Sequence, residues 1–221
     1  MAQGLTGQKM TDTIAIVDKP DFWDEACSQL MRRDRILKKV IPRHRSEWLS
    51  TSSTPFMTLA RAIVGQQVST KSADATWARF TARCGRRPAP AKIAAISLDE
   101  LRELGLSRRK CEYIVDLATH FAEKKLRTTA WAGMDDEEII TDLCAIRGVG
   151  RWTAEMFLIF SLQRPDVLPL DDAGLLKAIS LHYFSGEPVS RFEAREVAQA
   201  WAPWRTVATW YLWRSLSVAP K

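Results

Sequence analysis

The chain has 221 residues, and its 32 Lys and Arg against 26 Asp and Glu give a formal charge of +6 and a pI near 9.3. That length can bury a substantial core as one domain or two packed lobes, and the basic balance favours a polyanionic partner. Four scattered cysteines without a Cys-x-x-Cys pair exclude a zinc motif or a disulfide framework, and no apolar run approaches the roughly 18 residues of a membrane span, so the expected setting is reducing and intracellular.

Residues 1–19 are polar, show little periodicity and lack a leader-like apolar core, and they read as a tail. Phe22, Trp23, Ala26, Cys27 and Leu30 then recur at helical spacing, and a short basic helix over 35–40 should end at Pro42. The charge run 32–45 reads as a solvated face. Pro55 opens a helix with Phe56, Leu59, Ala60 and Ile63 on one side, which runs into Gly65-Gln66-Gln67-Val68-Ser69. Ser69 reads as the cap of a helix over 71–84. Short helices over 91–104 join at Ser97, and Gly105 and Ser107 stop and start the chain before a long helix lined by Ile114, Leu117, Ala118 and Phe121. Arg108, Arg109 and Lys110 fall in its first turn, where cations oppose the dipole, so the turn is either simply basic or close to an anion.

The most informative stretch follows. Helices over 135–146 and 151–162 flank Gly148-Val149-Gly150, whose two glycines permit a tight reversal with positive φ. Amides at the start of the second helix would point outward with the positive end of its dipole, and a phosphodiester fits there. Asp171 and Asp172 open the next helix, where N-capping is the default role of Asp. Further helices over 190–201 and from Pro203 complete an all-α chain of about ten to twelve helices, with Trp204, Val207, Ala208, Tyr211 and Leu212 burying one face of the last. His44, His120 and His182 have no metal-ligand spacing.

The hairpin glycines together with Asp172, 22 residues after Gly150, resemble the helix-hairpin-helix (HhH-GPD) DNA glycosylases. In that family Gly-Val-Gly grips the DNA backbone and a catalytic Asp lies downstream. Ala62-Ile63-Val64-Gly65-Gln66-Gln67-Val68-Ser69 and the ending Trp201-Ala202-Pro203-Trp204-Arg205 through Trp213 are similar to its alkylbase branch, typified by bacterial 3-methyladenine DNA glycosylase II. The resemblance covers roughly residues 20–217. It implies two helical lobes, 20–54 with 173–221 and 55–172, the helix-hairpin-helix lying at 137–162, an active cleft between the lobes, and no N-terminal β domain.

By the same resemblance Gly148, Val149, Gly150, Arg151 and Thr153 form the DNA-binding hairpin, Gln67 is the wedge that fills the gap left by a flipped base, and Gln66 supports it. Asp172 stabilises the oxocarbenium-like transition state; it is preferred to Asp171 because Asp172-Ala173-Gly174-Leu175 fits the family's Asp-x-x-aliphatic helix start. Trp152 and Trp213 form the walls of the base pocket, where indole faces attract a cationic alkylated base; with nine tryptophans in the chain, core packing would otherwise be the reading of both. Met156 occupies a place where a relative has an aromatic.

Strand-cutting relatives carry a lysine where this chain has Trp152, so the expected activity is monofunctional: hydrolysis of the N-glycosidic bond, leaving an abasic site. No cysteine follows Cys144, so no iron-sulfur cluster is expected; the only ion implied is a monovalent cation at the hairpin, and no catalytic metal. The implied partner is double-stranded DNA containing damaged bases, met by a monomer in a bacterial-type cytoplasm. A uracil, mismatch or oxidised-base glycosylase on the same fold, and a non-catalytic DNA-binding protein in which Asp172 is only a cap, are the alternatives.

Overall fold

The computed structural model describes residues 19–50 and 53–217; of the tail expected at 1–19, residues 1–18 lie outside them. Among the described residues there are twelve α-helices and no strand. No helix there is long and apolar enough to cross a membrane.

The helices sort into two packing groups. In one, α3 (Pro55–Gly65) lies against α4 (Thr70–Cys84), α7 (Arg108–Ala122) and α9 (Arg151–Phe160). The short α5 (Pro90–Ala94) and α6 (Leu98–Glu103) pack on α7, and α8 (Asp136–Cys144) packs on α9. An edge-to-face chain of Phe56, Phe121, Trp131 and Phe157 fills the centre of this group. In the other, α12 (Arg205–Ser217) contacts α1 (Trp23–Arg33), α2 (Leu37–Val40) and α10 (Ala173–Tyr183), with α11 (Arg191–Gln199) on α10. The chain between α9 and α10 joins the groups: Arg205 pairs bidentately with Asp166, and the Val167 amide donates to Thr206 Oγ1 at 3.0 Å.

Most element starts follow local chemistry. Ser69, Ser97, Ser107 and Ser190 each accept an amide from the first turn of the following helix, and Gly85 ends α4 at φ +90°. Three expectations change and one unexpected turn appears. The backbone does not stop at Pro42: α2 gives way to a 3₁₀ turn, Ile41–His44, in which Pro42 sits near the start and needs no N–H. The two hairpin helices end at Cys144 and Phe160, earlier than expected. A 3₁₀ turn at Trp131–Gly133 has no counterpart in the sequence reading. Finally, α12 is buried on all sides from Thr206 to Leu212, because it is the central helix of its group.

Asp34, inside the run read as a solvated face, is buried at 8% exposure. Its Oδ1 accepts the Ile36 and Leu37 amides and its Oδ2 accepts Tyr183 O–H and Trp201 Nε1–H, so four donors satisfy one buried carboxylate. The exposed cations around it surround a polar anchor of the fold.

Candidate active cleft and nucleic-acid interface

Between α8 and α9 the chain reverses in a few residues. Ile146 and Val149 are buried and joined by a 3.1 Å Val149 N–H to Ile146 O bond, so the hairpin is pinned to the core by its apolar residues, with Gly148 half-buried and Gly150 exposed. Asp116 on α7 accepts the Arg147 amide at 2.9 Å. Gly148 stands at φ +82°, and a Cβ there would overlap the Tyr113 ring, so both backbone and space require glycine. Gly150 differs from expectation: at φ −95°, ψ 176° it is extended, and a Cβ would meet nothing within 4 Å. What it leaves open is the start of α9, whose first amides have no side-chain cap.

Beside the hairpin lies a cavity of about 580 Å³ lined by residues 144–150 and by Gln66, Gln67, Ser107, Arg109, Lys110 and Tyr113. Its charge is positive, but the cations differ. Lys110 donates to Val64 O at 2.8 Å at the end of α3, and burial lowers its pKa. Arg109 is exposed at the rim. The expected wedge loop forms one side: Gln66 Nε2 donates to Gly148 O at 2.8 Å and to Thr153 Oγ1 at 3.1 Å. Gln67, at φ +54°, and Val68 are exposed at the tip.

Of the other residues read as hairpin contacts, two turn inward and one is paired at the surface. Val149 and Thr153 are buried, and Thr153 serves as Gln66's acceptor. The Arg151 guanidinium is held by Glu137 and by Glu155, which ties α8 to α9. Burial pushes the Glu155 carboxyl up to about 7 against the pull of Arg151.

The structure brings Asp172, Trp152 and Trp213 together. Trp152 Nε1–H donates to Asp172 Oδ2 at 3.0 Å, while Trp213 Nε1–H and the Leu175 amide donate to Oδ1 at 2.8 and 2.7 Å. Asp172 thus caps α10 and is gripped by an indole on each oxygen. Asp171 points elsewhere: it is exposed and pairs with Arg191 at 2.6 Å, facing a cavity also lined by Arg195 and by Arg151 and Arg205, the last two of which have carboxylate partners. Met156 is buried in the core one turn beyond Trp152.

Three contributors escape sequence reasoning. Phe160 stacks on Trp213 with centroids 5.8 Å apart. Gly174 makes room, since a Cβ would lie 3.1 Å from Asp172 Oδ1 and 3.3 Å from Trp213 Cδ1. Tyr113 fills the space under Gly148. Gly174 lies inside the helix start Asp172-Ala173-Gly174-Leu175, but nothing local assigns it this clearance.

Against this geometry stand the comparisons with known proteins. The sequence pattern described as HhH-GPD superfamily base excision DNA repair protein matches residues 60–203. DNA-3-methyladenine glycosylase 1 of Schizosaccharomyces pombe is 33% identical over 187 residues, covering 83% of this chain and 82% of that protein. The structure of the S. pombe 3-methyladenine DNA glycosylase in complex with abasic DNA superposes with a TM-score of 0.80 at 29% identity, over 88% of this chain and 98% of that one. A DNA-3-methyladenine glycosidase from Bacillus halodurans superposes with a TM-score of 0.72 at 34% identity, over 90% of each chain. The chain therefore belongs to the HhH-GPD superfamily of base excision DNA repair proteins.

Proposed function

We propose that this protein is a monofunctional DNA glycosylase that flips alkylated bases of the 3-methyladenine and 7-methylguanine type out of duplex DNA and hydrolyses their N-glycosidic bond. The observation that carries the reading is the Asp172 carboxylate fixed by two indole N–H groups and a helix-start amide. Hydrogen bonds from neutral donors aim the carboxylate, and among the described residues no cation pairs with it, so it can stabilise a sugar becoming oxocarbenium-like. As the C1′–N bond breaks, the bonding pair leaves with the base. A base alkylated at N3 or N7 already carries positive charge and departs neutral. Water adds to C1′ and passes its proton to solvent, completing an abasic site.

Trp152 and Trp213 suit such a substrate because an indole face attracts a cation by roughly 0.5–2 kcal/mol. No amine stands at the position of Trp152, so no Schiff base forms there and the strand is left intact. The uncapped start of α9 and exposed Arg109 would take a phosphodiester, and Gln67 would enter the duplex. A monovalent cation would be held by hairpin backbone carbonyls, and one of these, Gly148 O, already accepts from Gln66; such an ion would assist phosphate binding and take no part in bond breaking.

The test is a panel of duplexes, each with one lesion: an alkylated purine, uracil, or 8-oxoguanine. Release of the alkylated purine alone supports the proposal. Preferential release of uracil or 8-oxoguanine moves the enzyme to another lesion class, and tight binding without any release leaves a DNA-binding protein.

A further inference from the structure

The hairpin and the Gln66–Ser69 turn stand 82 residues apart in the chain, yet one side-chain nitrogen joins them. Gln66 Nε2 places its two protons on Gly148 O, within the hairpin, and on Thr153 Oγ1, in the first turn of α9. Thr153 is 2% exposed, so this second acceptor is fixed in the core. The next residue, Gln67, is exposed and holds φ +54°, a left-handed conformation that glutamine seldom adopts. Gln66 is also the C-cap of α3, which leaves no slack residue between the helix end, the hairpin bond and the tip.

We infer that Gln66 is a positioning residue that sets the register between the hairpin and the wedge, so that seating the hairpin on a phosphodiester fixes where Gln67 enters the duplex. The inference rests on the glycosylase reading of the cleft. Glutamine suits this role because one neutral nitrogen supplies two donors at the required reach. Asparagine is a methylene shorter, and glutamate has no proton to give and would set its charge against Gly148 O.

The experiment compares wild type with Gln66→Ala and Gln66→Glu in single-turnover excision of one alkylated purine, presented either paired or opposite an abasic site, where flipping needs no unpairing. Losing both bonds should slow excision from the paired duplex by roughly tenfold or more, while the unpaired lesion is released within about threefold of wild type. An equal loss on both substrates would make Gln66 merely structural and overturn the inference, as would no loss on either.

A second measurement needs no lesion. Amide hydrogen exchange on the free protein should quicken at both 147–151 and 66–69 in Gln66→Ala, and unchanged exchange at 147–151 would overturn the coupling. Should wild type release no base from either duplex, the glycosylase reading fails by itself and the exchange result still decides whether the loops are joined.

Discussion

The indole nitrogen of Trp213 lies 2.8 Å from Asp172 Oδ1, the same oxygen that receives the Leu175 amide at 2.7 Å. One atom therefore both caps α10 and aims a wall of the cleft. Trp213→Phe keeps the ring and removes the donor. It should cost about 1 kcal/mol of stability and lower the excision rate severalfold, whereas Trp213→Ala should lower it far more by removing the wall as well. Thermal melts with single-turnover rates check both, and equal rates for the Phe and Ala variants would deny the ring a role.

Gly174 tests the same arrangement from behind. An alanine Cβ would press on Asp172 Oδ1 and on Trp213 Cδ1, which must shift by a few tenths of an ångström. Gly174→Ala should destabilise the fold by about 1 kcal/mol and depress excision through the displaced indole. An unchanged rate would mean that Trp213 has room to move without consequence.

The two hairpin glycines should separate stability from binding. Gly148→Ala meets both a positive φ and the Tyr113 ring, and should cost about 1–3 kcal/mol. Gly150 is extended with open space at its Cβ, so Gly150→Ala should leave stability unchanged or raise it by about 0.5 kcal/mol. Its methyl group would nonetheless stand beside the uncapped start of α9 and should weaken duplex binding. A Gly150→Ala protein that melts and binds like wild type would place the phosphate elsewhere.

Glu155 makes a pH prediction. Its carboxyl is raised in the fold to about 7 from an ordinary 4.5, chiefly by burial. Between those values the folded protein binds the proton that the unfolded chain has lost, so stability falls as pH rises from about 4.5 to about 7, by at most about 3 kcal/mol, and then levels. Asp136, also raised by burial, adds a smaller effect of the same sign. Glu155→Gln retains an acceptor for Arg151 and should flatten the fall. A variant whose stability follows the wild-type pH profile would remove Glu155 as its origin.

What could be read from the chain depended on distance. Serine caps and the apolar stripes of α3 and α7 are local, and the sequence states them directly. The positive φ of Gly148 is local too, but that of Gly150 is not needed, since its value lies in the space it leaves. The last helix misled because a stripe predicts one buried face, while Thr206, Thr209 and Trp210 are buried by neighbours on every side. Asp34 looked like part of a charged surface because its donors Tyr183 and Trp201 are more than a hundred residues away. Asp172, Trp152 and Trp213 are marked by resemblance alone, and no periodicity shows that the two indoles point their nitrogens at the carboxylate.

The most direct test of the account is release of free base from methylated duplex DNA by wild type and Asp172→Asn, with half of each reaction treated with alkali. Asparagine can still cap α10, but its amide opposes one indole N–H, so the variant should fold with a loss of about 1 kcal/mol. Its excision rate should fall by roughly a hundredfold or more. Wild type should release 3-methyladenine and yield strand breaks only after alkali. Wild-type excision by a folded Asp172→Asn protein, or strand breaks without alkali, would contradict the account.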